Sequence, residues 1–253
     1  MTVQALRPSD VWLRWLSALS FLAVWAVAAK LAQAPLLPGP GAVAMALVKL
    51  TASGQLPLDL GITLLRVAAS FAFAMAAGAA IGIAMGRSRR LDAFFDLWLV
   101  LGLNIPALVI IYLCYIWGGL TEAAAIVAVG LNKVPNTATI LREGARAVDR
   151  ELLQVADVLR LPRLRRLRLV YLPQLYPYFM AATRSGLSLI WKIVLVAEFI
   201  GRSNGVGFRL NVYFEFFDIT NILAYSASFI AVVLAAEAWL IRPLERRLTG
   251  WRA

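Results

Sequence analysis

The chain alternates long apolar runs with short breaks rich in Arg, Gly or Pro. The runs fall at about 11–34, 60–86, 94–117, 122–141, 174–200 and 219–241. Each reaches or exceeds the roughly 20 residues that carry an α-helix across a bilayer. The expected fold is all-α and polytopic, a single transmembrane domain over 1–253 with six spans and one large polar loop at 142–173. The first run lacks a small-residue cleavage site and reads as a retained span, not a signal peptide.

Irregularities inside the pattern predict local features. Pro35, Pro38, Gly39 and Pro40 end the first helix, and 41–53 predicts a short amphipathic helix in the far interface. Gly78, Gly82 and Gly86 recur every four residues, a spacing that lines them on one helix face and lets another helix approach closely. Asn104 and Pro106 interrupt the third span, where Pro removes a backbone hydrogen bond and loosens the helix. The fourth span carries Asn132, Lys133, Pro135, Asn136 and Thr137 in its second half, too polar a face to meet lipid. Pro173 and Pro177 open the fifth span, and Gly201, Asn204, Gly205 and Gly207 predict a turn before the sixth.

The loop organises the rest. Arg150, Arg160, Arg163, Arg165, Arg166 and Arg168 crowd its middle, and each would cost about 2.5–3.5 kcal/mol at the bilayer centre, so the loop lies in water. Leu152, Val155, Val158 and Leu159 have the spacing of a short amphipathic helix. Leu152, Val155, Ala156 and Leu159 are the expected docking face, with Asp157 and Arg160 at its polar rim.

Composition agrees with a membrane protein: 61% of the 253 residues are hydrophobic and 15% charged. The net charge of +11 would suggest nucleic acid in a soluble chain, but here it gathers at span ends. Counting Lys and Arg by side gives 17 with the loop and both termini, against Lys30, Lys49, Arg202 and Arg209 opposite. The positive-inside rule then places the loop and both termini in the cytoplasm. No nucleic-acid partner is expected. Cys114 is a lone cysteine and His is absent, so no metal site or imidazole base is expected. The chain has no G-x-x-x-x-G-K-[ST] phosphate loop and no nucleophile, base and orienter set. It is expected to be no enzyme and to hold no cofactor; if uptake is active, another subunit binds the ATP.

The loop resembles the coupling element of ABC-type importer permeases, in which Glu-Ala-Ala, three residues, Gly and later Leu-Pro seat in an ATPase subunit. Here the pattern stands as Gln154-Val155-Ala156, Arg160 and Leu172-Pro173. Gln154 replaces the Glu and Arg160 replaces the turn-forming Gly, so Leu161-Pro162 is the expected source of the turn. LPGP (37–40), the stretch 61–96, the stretch 136–156 and RSGLSLIWKIVLVAEFIG (184–201) are similar to permeases of the nitrate, sulfonate and taurine uptake branch. The resemblance implies a type I ABC importer permease-like fold in a bacterial inner membrane. It also implies ABC ATPase subunits, an extracytoplasmic solute-binding protein and a second permease copy as partners, in a homodimer or paired with a different permease. The alternative is a secondary transporter driven by an ion gradient, which would show internal repeats; none is visible.

Candidate pathway residues are Asn104, Lys133, Asn136, Arg184, Lys192 and Glu198. A cation facing hydrocarbon is costly, so Lys133, Arg184 and Lys192 should point into protein or water. Glu198 is six residues from Lys192, too far for pairing along one helix face, so partners must come from other elements. Excess positive charge near a two-fold axis would favour an anionic solute.

Overall fold

The computed structural model describes residues 11–32, 36–241 and 243. Arg7, Pro35, Arg242, Arg246, Arg247 and Arg252, which entered the expectations above, lie outside the described residues. The elements are α1 (Val11–Ala32), α2 (Pro40–Ala52), α3 (Gln55–Arg87), α4 (Arg89–Asn104), α5 (Ala107–Gly118), α6 (Glu122–Arg146), α7 (Arg150–Val158), α8 (Arg163–Arg166), α9 (Leu172–Gly201), α10 (Val206–Glu215) and α11 (Ile219–Ala236). Among the described residues no strand is present. Five helical stretches are long and apolar enough to cross a membrane, and α4 with α5 makes a sixth as a bent pair.

That bent pair departs from the single third span expected over 94–117. Its halves meet at 99°, because Pro106 holds Ile105 in an extended conformation (φ −73°, ψ 124°) that no helix can contain. The corner rests on protein: a Cβ on Gly102 would lie 2.6 Å from Cγ of Pro135 in α6. Irregular backbone at membrane depth is tolerated where protein covers it.

The centre of the fold is the pair α3 and α6. Gly78 and Gly86 remove the side chains that would otherwise hold the helices apart. A Cβ on Gly78 would sit 2.6 Å from Cβ of Thr137, and one on Gly86 would sit 2.5 Å from Cβ of Ala145. Between them, Gly82 faces the carbonyl of Ala138 directly. Lipid tails are as apolar as leucine, so helices in a bilayer gain mainly from close packing. Val67, Ala74, Ala128, Val129, Ile190, Val194, Ala197 and Tyr225 complete a core shared by α3, α6, α9 and α11. Helix α6 buries Lys133 and Thr137 along with its apolar face, the arrangement its polar second half requires.

At the outer edges the sequence patterns translate with adjustments. Helix α2 starts on Pro40 and buries Val43 and Leu50. Trp25 of α1 donates its indole N–H to the Pro38 carbonyl at 3.0 Å, tying α1 to the turn before α2. Pro173 lies in the first turn of α9, where the fifth span was expected to open, and Pro177 follows inside the helix. Helix runs continuously over Arg163–Gly201, passing Pro173 by a π-turn at Leu167–Tyr171, which widens the backbone ahead of a ring that cannot donate. Helix α10 occupies the region expected to be only a turn after Gly201.

The packing makes a specific expectation about Gly82. Gly82→Ala should destabilise the protein by about 1–3 kcal/mol through forced separation of α3 and α6. Gly61→Ala, where a Cβ would meet nothing within 4 Å, should be neutral or slightly stabilising. Thermal unfolding of the two variants in the same detergent checks the contrast.

Candidate functional site

The loop between α6 and α9 folds into a helical hairpin. Asp149 caps α7, its carboxylate accepting from the Glu151 amide at 2.8 Å. The Asp149 amide donates to the Gln174 side chain at 2.8 Å, which binds the start of α7 to α9. Leu153 packs on the buried group Ala145, Val148 and Leu175. An ion pair of Asp157 with Arg166 joins α7 to α8.

This geometry splits the expected docking face. Leu152, Val155 and Leu159 are 49%, 54% and 65% exposed, while Ala156 is 1% exposed. Ala156 therefore belongs to the inward side with Leu153: it is small because α7 lies close on its own protein, not because a partner approaches there. Gln154, Asp157 and Arg160 are exposed around the apolar face.

The turn after α7 also differs from expectation. Arg160 itself takes the left-handed conformation, φ 49°. The Leu161 amide donates to the Ala156 carbonyl and the Arg160 amide to the Asp157 carbonyl, both at 3.0 Å. These two bonds define a Schellman motif, with Arg160 at the position that usually holds glycine. The helix end closes with an arginine in a backbone region that disfavours a Cβ, and Pro162 only follows it.

At the opposite end, where α3 and α6 begin and α9 ends, lies a buried polar network that sequence reasoning did not assemble. Arg66 donates from Nη1 to Glu198 at 2.7 Å and makes two bonds to Glu122, at 2.7 and 2.6 Å. It also donates to the Asn204 backbone and side-chain oxygens. Glu198 is fully buried and accepts further from Thr63 at 3.0 Å and from the Gly207 amide at 2.8 Å. Beside it, Asp59 accepts from the Gly205 amide at 3.1 Å, from Arg209 at 2.9 Å and from Tyr225 at 2.9 Å. The amides of Gly205, Val206 and Gly207 open α10 and would otherwise be orphaned donors; Asp59, Thr63 and Glu198 satisfy them. Gly205 has φ 99°, and a Cβ there would fall 2.6 Å from the Glu198 carboxyl carbon. Glu198, expected on the pathway, instead locks four elements together. The missed signal was Arg66, a lone arginine inside an apolar run that needs a buried acid.

The remaining pathway candidates occupy three places. Lys133 is 2% exposed at the seam of α6 and α9, with its ammonium 3.5 Å from the Ser185 hydroxyl, which in turn donates to Asn136 at 3.2 Å. Arg184, Ser188 and Lys192 form one stripe on α9 and line a groove of about 430 Å³ against Phe229, Val233 and Glu237. Asn104 stays with its own helix, donating to the Val100 carbonyl at 2.7 Å, and no hydrogen bond brings it to Lys133. The structure thus joins Lys133 to Asn136, and Arg184 to Lys192, while placing Asn104 and Glu198 elsewhere.

The α-helical body, with its bent helix pair and the helical hairpin between α6 and α9, shares its fold with a solved ABC transporter. A solved structure described as "Crystal structure of an amino acid ABC transporter with histidines" matches with a TM-score of 0.62 at 19% identity, covering 79% of this chain and 97% of that one. Residues 77–241 match the family of binding-protein-dependent transport system inner membrane components, and the chain belongs to that family. It is similar to the "Putative aliphatic sulfonates transport permease protein SsuC" of Bacillus subtilis, at 30% identity over 91% of this chain and 84% of the relative. It also resembles the taurine transport system permease protein TauC of Escherichia coli, 28% identical over 76% of this chain and 70% of the relative. The bicarbonate transport system permease protein CmpB of Synechococcus elongatus is 26% identical over 74% and 68%. The chain is an ABC importer permease, a transport subunit and not an enzyme, and the secondary-transporter alternative finds no support.

Two expectations follow from the site. Arg66→Met strands the buried Glu198 charge and should cost about 3–5 kcal/mol, whereas Arg66→Met combined with Glu198→Leu should recover much of that loss; unfolding midpoints of the single and double variants measure it. Arg160→Gly should slow amide exchange in α7 by about fivefold through relief of the left-handed backbone, read by hydrogen–deuterium exchange.

Proposed function

We propose that this permease conducts a small solute bearing an anionic group, of the sulfonate, taurine or bicarbonate kind, delivered by an extracytoplasmic binding protein and driven by a separate ATPase. The single observation that carries the anionic reading is the cationic wall of α9. Arg184 and Lys192 stand two helical turns apart on one exposed stripe with Ser188 between them, and the buried Lys133 reaches the same helix from behind through Ser185. Two cations with one facing acid, Glu237, leave the groove net positive, and such a face is costly against lipid, so it meets water or another protein surface. A solute carrying negative charge would be drawn along it. The named substrates of the sulfonate, taurine and bicarbonate relatives support the same class.

The hairpin is where the ATPase would dock. Leu152, Val155 and Leu159 form an apolar face on an extramembrane helix, a surface that soluble and membrane proteins alike bury against a partner. An ATPase subunit seated there would transmit its motion through Leu153 and Ala156 to α6 and α9. The excess of Lys and Arg at this end supports a cytoplasmic hairpin with both termini on the same side. A second permease copy, by two-fold symmetry, would present the α9 wall twice and enclose the pathway.

Two measurements test this reading in reconstituted transporter. Lys133→Met should lower uptake of the anionic solute severalfold while assembly with the ATPase and nucleotide hydrolysis persist; wild-type uptake, or a cationic substrate, refutes the anion pathway. Val155→Asp should abolish co-purification of the ATPase and stimulated hydrolysis without loss of membrane insertion, and normal uptake by that variant refutes the docking face.

A further inference from the structure

The Arg-rich end holds a second cavity, of about 620 Å³, enclosed by the end of α3, the end of α6 and both arms of the hairpin. Its lining includes Arg87, Arg146, Arg150, Arg163 and Arg166, together with Tyr171, and no carboxylate. Arg146 is engaged with Asp92 and Glu143, and Arg166 with Asp157. Arg87, Arg150 and Arg163 make no ion pair among the described residues.

Like charges gathered around one concavity repel, and the fold does not disperse them. Arg87 is held by its stack over the Tyr171 ring, 5.4 Å from the centroid, and the Tyr171 hydroxyl is shielded from solvent with no hydrogen-bond partner. A hidden donor without an acceptor is costly. The π-turn carries Tyr171 between α8 and α9, and Arg163 and Arg166 of α8 line the cavity together with Arg87 at the end of α3. Planar guanidinium groups match the oxygens of phosphate in paired hydrogen bonds, which sets them apart from a lysine cluster. Basic pockets between the ends of membrane helices are built to take phosphate headgroups. Next to the cavity, Leu164 and Leu169 are exposed on the same arm, giving acyl chains an apolar surface beside the charge.

We infer that this cavity binds a phosphate group, and that the bound anion clamps the hairpin to the ends of α3 and α6. The site is separate from the α9 wall and does not depend on which solute is carried. The phosphate has two sources, the headgroup of an anionic lipid or a free phosphate in solution.

The test uses the assembled transporter, permease with its ATPase, in nanodiscs. Wild-type protein in phosphatidylcholine is compared with protein in phosphatidylcholine containing phosphatidylglycerol or cardiolipin, and with phosphatidylcholine discs given inorganic phosphate or pyrophosphate. Binding should raise the unfolding midpoint by about 3 °C or more and slow amide exchange in α7 and α8. Arg87→Gln with Arg163→Gln should lose most of that shift, Arg87→Lys with Arg163→Lys should retain part of it, and Arg89→Gln with Arg90→Gln, outside the lining, should keep it whole. A shift with anionic lipid alone identifies a headgroup site, and a shift with inorganic phosphate identifies a soluble ligand; either supports the inference. No shift from any phosphate source overturns it, as does an equal shift in wild type and the Arg87→Gln, Arg163→Gln variant. If Arg163→Glu releases the ATPase while no phosphate source acts, the cavity is a seat for an acidic side chain of the partner and the inference is wrong.

Discussion

A guanidinium removed from water must be met by opposite charge, and Arg66 is the place where this chain answers that demand. Its five donors reach Glu198, Glu122 and Asn204, so α3, α6, α9 and the segment leading to α10 converge on one side chain. The gain in net stability from such a buried pair is small, because desolvation offsets most of the attraction. What the network supplies is registry: every alternative sliding of these helices leaves a charge stranded. Asp59 extends the same logic to Arg209 and Tyr225, and the two carboxylates together hold the first amides of α10. Once this end is fixed, the glycines of α3 set how closely α6 can lie, and the rest of the bundle follows.

The other end is built on the opposite principle. There Arg142 and Arg146 are shared among Asp92, Asp96 and Glu143 near the surface, and several arginines remain unmatched around the hairpin. One end is internally neutralised; the other keeps uncompensated charge and exposed apolar side chains. Leu153 connects the hairpin to α6 and α9 by packing on Ala145, Val148 and Leu175.

The hairpin shows how far local pattern reaches. The apolar spacing of α7 was legible, because a 3.6-residue period places Leu152, Val155 and Leu159 on one face in any context. Which neighbour lay inward was not: Ala156 sits beside that face yet is buried, a distinction made by how the rest of the chain packs on α7. Arg160 makes the same point at the backbone. The sequence pointed to Leu161-Pro162 as the turn because Pro constrains its predecessor, yet the chain closes one residue earlier, with Arg160 left-handed, since two backbone hydrogen bonds outweigh the Cβ penalty. The third span was legible as apolar and weakened at Pro106, but not the 99° angle between its halves, nor that Gly102 rests on Pro135 of α6 beside the corner.

By itself, then, the sequence determined the class of the molecule, its apolar spans, the hairpin with its arginines and the close-packing face of α3, because each of these follows from transfer of side chains between water and lipid or from helical period. Only the tertiary structure decided the partners of the buried charges. Glu198 stood on the helix of Arg184 and Lys192 and was assigned with them, but its partner is 132 residues away in Arg66. Sequence records that a buried ion must be neutralised; it does not record by what, because the pairing is set by which helices lie side by side. The same reason separates Lys133, whose nearest polar neighbours come from α9, from Asn104, which turns back on its own helix.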